Sequence, residues 1–153
     1  MDFWDQSLLG EVRDYDNLII LRTCSKAIGL AALRVGFAVA NERLTKAIRA
    51  AKSPYNVNTL SQAAGEAVLS CKEALAERRE YLINQRNKLK EALSSKCYET
   101  LDSCTNFVLL RTEHARELHN FLLTKSIAIR LLDNCLRITA GTDEEQNRLI
   151  EGI

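Results

Sequence analysis

Lys26, Thr23, Ser25 and Arg34 fall within one short stretch, residues 17–40, and their side chains together could do chemistry. A lysine whose pKa is lowered by burial or by a neighbouring cation has a free amine able to attack a carbonyl. Hydroxyls and a planar guanidinium suit a dianionic phosphate. A ligand that needs both an amine for its aldehyde and donors for its phosphate is pyridoxal 5′-phosphate. A strand-to-strand loop carrying ordinary surface residues would explain the same spacing equally well. A Walker-type phosphate loop fits less well, because its lysine follows the glycines, whereas Ser25-Lys26 precedes Gly29.

The flanking residues suggest how these groups are positioned. Leu18–Leu21 and Val35–Ala40 are short continuous apolar runs, the pattern of strands buried on both faces, at about 17–22 and 34–40. Lys26 would then sit at the end of a buried strand. Residues 1–16 read as a loop with a turn of helix, with Phe3 and Trp4 as its apolar points. Asn41 is a helix N-cap before Leu44, Ala47, Ile48 and Ala51, and Pro54, the only proline, stops that helix. Asn58-Thr59-Leu60-Ser61 opens a second helix, whose Leu60, Ala63, Ala64, Ala67 and Val68 are expected to pack closely on a neighbour. From Lys72 to Ser95 runs the longest helical pattern. Its stripe of Leu75, Leu82, Leu89 and Leu93 predicts a solvated helix with one docked face rather than a coiled coil.

The last third changes character. Cys97–Leu101 and Phe107–Arg111 predict a strand pair across the Asp102–Asn106 turn, followed by a helix over 113–124. Ile127–Leu132 and Cys135–Thr139 predict two more strands around an Asp133-Asn134 turn. Thr142 and Glu145 form a capping box that opens a final helix. The order β-β-α-β-β-α describes a small α+β domain.

Composition narrows the function classes. With 153 residues, 46% of them hydrophobic, the chain can form one ordinary domain or a small domain plus part of another. A formal charge of +1, from 21 basic and 20 acidic residues, gives no reason to expect nucleic acid or a membrane surface as partner. No apolar run approaches the ~18 residues of a spanning helix. The five cysteines include no Cys-x-x-Cys pair and read as reduced thiols, most of them small core residues, in a cytoplasmic protein. His114 and His119 miss the i, i+4 spacing of paired ligands, so no metal site is expected.

The run Thr23-Cys-Ser-Lys-Ala-Ile-Gly-Leu-Ala-Ala-Leu-Arg-Val-Gly-Phe37 resembles the cofactor-lysine signature of class I/II, fold-type I aminotransferases, and in particular the histidinol-phosphate aminotransferase branch. The likeness covers essentially the whole chain. Asn106-Phe107-Val-Leu-Leu is similar to the family's small-domain strand. Ile129-Arg130 and Leu136-Arg137-Ile-Thr-Ala-Gly-Thr-Asp-Glu-Glu are similar to its C-terminal substrate-binding strands. Cys24, Ile28 and Ala32 depart from the usual pattern without removing a polar group.

The resemblance implies that Lys26 is the catalytic lysine, bonded to the cofactor aldehyde, with Thr23, Ser25 and Arg34 on the cofactor phosphate. It implies Arg137, and secondarily Arg130, on the anionic group of the substrate; arginines paired with a carboxylate at a strand rim are the alternative. The implied fold is α/β, with residues 1–72 the remnant of a large pyridoxal-phosphate-binding domain and 73–153 an interdomain helix plus the small α+β domain. The implied reaction is transamination between an amino donor, histidinol phosphate, and a 2-oxo acid, 2-oxoglutarate.

In the family, the acidic partner of the pyridine nitrogen, a tyrosine near the ring hydroxyl, a ring-stacking aromatic and a Gly-rich phosphate turn all lie upstream of the lysine. None has a counterpart here: Asp2 and Asp5 precede the first strand, but Asp2 falls just after the family's Asp-x-x-Tyr pair. The expectation is a C-terminal fragment, inactive alone, whose uncovered strands self-associate as a homodimer or by strand swapping. A non-catalytic module and a related decarboxylase of phosphorylated amino acids stay open as alternatives.

Overall fold

In the computed structural model the described residues are Phe3 and 6–153; Asp2, Trp4 and Asp5 lie outside them. The chain divides into two compact units, Met1–Arg78 and Arg79–Ile153.

In the first unit, β1 (Ile19–Thr23) pairs antiparallel with β2 (Gly36–Ala40), Ile19 standing opposite Ala40 and Thr23 opposite Gly36. A side chain at Gly36 would place its Cβ 2.7 Å from the Arg22 carbonyl oxygen, so the close approach of the two strands requires glycine. The expected burial on both faces is not found. Leu21 is 76% exposed and Phe37 44% exposed, and the register puts them on opposite faces of the ribbon. The apolar runs do form strands, but a two-stranded ribbon has too few neighbours to cover both faces.

A 3-10 turn at Leu8–Glu11 precedes the ribbon. α1 (Glu42–Ala51) starts where predicted. The Asn41 side chain accepts a hydrogen bond from the Leu44 N–H at 2.9 Å, and its amide group donates to the Tyr15 carbonyl at 3.1 Å. α2 (Thr59–Ser70) is capped in the same way by Asn58, which accepts from the Ser61 N–H at 2.9 Å. Its packed face differs from the expected one. Ser61 and Gly65 are buried, whereas Leu60, Ala63 and Ala67 are exposed. The smallest residues, rather than the most apolar, mark the closely packed side, because they let a helix backbone approach its neighbour.

α3 (Lys72–Ser95) begins in the first unit and continues in the second. There a four-stranded antiparallel sheet has the order β3-β4-β6-β5, from β3 (Glu99–Leu101), β4 (Phe107–Arg111), β5 (Arg130–Leu132) and β6 (Cys135–Thr139). α4 (Ala115–Thr124) lies between β4 and β5 in sequence, and α5 (Asp143–Gly152) follows β6. The element order is thus the expected β-β-α-β-β-α. Val108, Leu110, Leu136 and Ile138 form one core with Leu89, Leu93, Ala115, Leu122 and Leu149 from the helices. Strand alternation therefore leaves Phe107, Leu109, Arg130, Cys135 and Arg137 on the other face of the sheet.

In the second unit two strands start later than predicted, each just after the same kind of helix cap. Cys97 and Ser126 adopt left-handed backbone, φ 63° and 58°, just after α3 and α4. In each case the next two N–H groups close the helix: Cys97 donates to Ser94 and Tyr98 to Leu93, and likewise Ser126 to Leu123 and Ile127 to Leu122. These are Schellman caps. Their N–H groups are committed to a helix end and cannot join a strand ladder.

The cysteines also depart from expectation. Only Cys24 is buried, whereas Cys71, Cys97 and Cys104 are exposed and Cys135 is half-buried. Three of them occupy a helix end, a cap and a loop, where no core lies against them. Among the described residues no helix is long and apolar enough to cross a membrane.

Candidate active site

The residues between β1 and β2 form a tight, hydrogen-bonded turn. The Cys24 N–H donates to the Val35 carbonyl at 3.1 Å, which prolongs the ribbon by one rung. The Leu30 N–H then returns to the Cys24 carbonyl at 2.8 Å, and the Gly29 N–H to the Lys26 carbonyl at 3.0 Å. Thr23 orients the start, its Oγ1 accepting from the Ser25 N–H at 3.1 Å. A 3-10 turn at Ala31–Leu33 leads into Arg34, whose left-handed backbone (φ 55°) reverses the chain into β2. The Arg34 guanidinium donates to the Ala31 carbonyl at 3.0 Å.

The effect is a sorted turn. Cys24 and Ala27 are buried beneath it, Ser25 is half-buried, and Thr23, Lys26 and Arg34 are exposed. Among the described residues the Lys26 amine takes part in no ion pair. The expectation of a buried strand end beside Lys26 is not met, because β1 carries exposed residues up to Thr23. As a donor set, two hydroxyls, a guanidinium and an amine fit an aldehyde that also carries a dianionic phosphate.

The second unit holds the two arginines singled out above. Arg130 on β5 stands directly opposite Arg137 on β6. Both line a cleft of about 610 Å³, together with Arg148, Gly141, Gln146 and Ile129. The Arg137 guanidinium lies 5.2 Å from the Phe107 ring centroid, a cation–π contact, and its Nε is buried with no hydrogen-bond partner. Neither Arg130 nor Arg137 pairs with a carboxylate among the described residues. Like charges facing each other across strands are unfavourable, and a buried N–H without an acceptor is costly. An anion in the cleft would relieve both.

The cleft wall is itself braced. The Gln146 amide donates to the carbonyls of Gly141 and Gln85, at 3.2 and 3.1 Å. Gln85 in turn donates to Tyr81 Oη and to Asp143 Oδ1, at 3.0 and 3.1 Å. Lys88 also donates to Asp143 Oδ1, and these two donors hold the Asp143 carboxyl below its ordinary value of 3.8, Lys88 contributing most. The capping box at Thr142 is formed as predicted, with Glu145 Oε2 accepting from the Thr142 N–H at 2.8 Å.

Sequence reasoning overlooked Phe107, Arg148, Gln146 and Gln85 in this region. Phe107 meets Arg137 only through the β4–β6 register, which no local spacing reveals. Gln85 sits one helical turn before Leu89 in the docked stripe, and a polar residue on that stripe was the available signal.

The whole chain, residues 1–153, matches the model of the aminotransferase class I and II family. It is 40% identical to the histidinol-phosphate aminotransferase of Clostridium novyi (strain NT) over 100% of its own length and 45% of that relative's. The chain thus spans less than half the length of the curated relatives it matches. Among solved structures it is similar to histidinol-phosphate aminotransferase from Sinorhizobium meliloti in complex with pyridoxal-5′-phosphate. There the TM-score is 0.86 and the identity 27%, over 94% of this chain and 42% of that one. A decarboxylase from Sulfurospirillum multivorans is also similar, with TM-score 0.81 and 26% identity, over 96% of this chain and 46% of that one. A match along every residue, with the same architecture in relatives of that kind, means that this chain belongs to the aminotransferase class I and II family of pyridoxal-phosphate-dependent enzymes.

Proposed function

We infer that the chain carries the lysine and the substrate-arginine parts of a pyridoxal-phosphate-dependent transaminase. The observation that carries this reading is the sorted turn at 23–34, which exposes Lys26, Thr23 and Arg34 on one hydrogen-bonded segment with Ser25 half-buried between them in sequence. Thr23, Ser25 and Arg34 would hold the cofactor phosphate, and Lys26 would bond its aldehyde. When bound, the cofactor supplies an electron-accepting ring next to the reacting carbon. The chain's own part in the chemistry is proton transfer: the freed Lys26 Nζ would take the proton leaving the substrate Cα and give it to the carbon it had been bonded to, the reverse transfer serving the opposite half-reaction. Arg137 and Arg130 would anchor the substrate's anionic group.

The substrate reading is histidinol phosphate, which would give its amino group to 2-oxoglutarate, or be formed in the reverse direction from the corresponding ketone and glutamate, in histidine biosynthesis in the cytoplasm. Its support is the name of the relatives and a cleft with two unpaired arginines suited to a phosphate. Residues 1–72 and 73–153 would divide this work, the first for cofactor and the second for substrate. Because the chain spans under half of those relatives, turnover is assigned to a full-length enzyme, and the chain alone is expected to be inactive. The exposed apolar faces of the β1–β2 ribbon favour a second copy of the chain as partner.

The test is to add pyridoxal phosphate to the chain and record the visible absorption of covalently held cofactor. The band is expected with the native chain and absent in Lys26→Ala; no band with the native chain would defeat the reading.

A further inference from the structure

Arg78 is the one charged side chain that reaches the lysine turn from a distant part of the first unit's sequence with a described hydrogen bond. It sits on α3, and its Nε donates to the Ala27 carbonyl at 3.1 Å. Ala27 directly follows Lys26 and is 7% exposed, so water is a poor substitute for this donor. The guanidinium also covers Gly29, whose backbone is left-handed at φ 82°. A Cβ built on Gly29 would lie 3.2 to 3.3 Å from Nη2, Cζ and Nε of Arg78. Three atoms of the planar group at nearly one distance mean that it lies along this residue, and glycine leaves the room for it. Arg78 enters no ion pair among the described residues, so its described polar contact is to backbone.

We propose that Arg78 is a positioning residue for Lys26, acting through the turn and not on the ligand. This rests on the reading of Lys26 as the cofactor lysine. Beside the Leu30-to-Cys24 and Ser25-to-Thr23 bonds, two fastenings flank that lysine directly. Its own carbonyl is held by the Gly29 N–H, and the next carbonyl, that of Ala27, is held by Arg78. With both in place the Lys26 Cα is fixed, and only the side-chain torsions remain to move the amine. Without Arg78 the Ala27 carbonyl loses its donor and Gly29 loses its cover, and the amine is presented from a turn that opens. A lysine at position 78 could still donate one hydrogen bond but could not lie flat along Gly29, because it lacks the planar fork.

The experiment uses the full chain, with Arg78→Ala and Arg78→Lys, and two readouts. The first is amide hydrogen exchange over residues 23–31. The second is the share of pyridoxal phosphate that borohydride reduction fixes on Lys26 rather than on other lysines. Arg78→Ala is expected to speed exchange at Gly29 and Leu30 by up to about tenfold, the factor for one ordinary hydrogen bond. Exchange in α4 and α5 should not change, and the Lys26 share should fall. Arg78→Lys should lie between, and it carries the test if Arg78→Ala does not fold. Unchanged exchange at 23–31 in both variants, or faster exchange with an undiminished Lys26 share, overturns the proposal. If exchange responds but Lys26 is not the labelled lysine even in the native chain, the fastening of the turn stands and the cofactor reading fails.

Discussion

Replacing Arg130 by glutamine should change stability in opposite directions with and without phosphate. Arg130 and Arg137 face each other directly across β5 and β6, and neither has a carboxylate partner among the described residues. At a separation of about 7 Å, two positive charges on such opposed side chains would repel by roughly 0.6 kcal/mol in a water-like dielectric, and physiological salt would reduce this to about 0.3. Arg130→Gln should therefore stabilise the second unit by roughly 0.3–0.6 kcal/mol in phosphate-free buffer, or about 2–4 °C in melting temperature for a unit of this size.

Phosphate reverses the sign. At a concentration near one hundred times its dissociation constant, inorganic phosphate would stabilise the native chain by about 2.7 kcal/mol. Loss of one charge-assisted hydrogen bond, about 1.5–3 kcal/mol, removes most of that gain in the variant. The assay is thermal unfolding with and without phosphate, with sodium chloride matching the ionic strength. Two results would refute the reasoning: a variant less stable than native in phosphate-free buffer, or equal stabilisation of both proteins by phosphate. Either would mean that the arginine pair is not an anion site held open at a cost in stability.

Three further outcomes are expected. Leu110→Ala, at a fully buried site in the second unit's core, should cost about 2–5 kcal/mol in urea unfolding, whereas Leu123→Ala, at a 48% exposed site, should cost within about 0.5. By carboxyl-detected NMR, Asp143 should titrate below 3.8, and Lys88→Ala should move it upward more than Gln85→Ala does. Because this pKa is depressed on folding, its contribution to stability is present above 3.8 and is lost as pH falls through the lower folded value. Leu21→Lys should shift light-scattering mass toward the monomer if the exposed ribbon face joins two copies; a native chain strictly monomeric at high concentration would contradict self-association.

The elements with side-chain N-caps were legible because the signal is local. Asn41, Asn58 and Thr142 each announce a helix and each accept the expected N–H. The two Schellman caps were not legible. Their left-handed positions are held by Cys97 and Ser126, and the usual signal for such a cap is glycine. Burial was the least legible property. The apolar runs at 18–21 and 35–40 look like interior strands, yet whether they are covered depends on neighbours that no local pattern specifies. The same limit applies to the site. Arg130 and Arg137 came only from the resemblance to the family, whereas Lys26, Thr23, Ser25 and Arg34 could be picked out as candidates by type and spacing. Arg78 could not, because it meets the turn only through the packing of α3, and a lone arginine on a charged helix carries no mark of it.

The central claim is that Lys26 is the lysine that bonds the cofactor aldehyde. Its most direct test is borohydride reduction of the chain mixed with an equimolar amount of pyridoxal phosphate, followed by peptide mapping. The fixed cofactor is expected on the peptide carrying Lys26, and Thr23→Val and Arg34→Gln should each reduce that yield. Label spread over the other lysines in proportion to their exposure, and indifferent to Thr23 and Arg34, would contradict it.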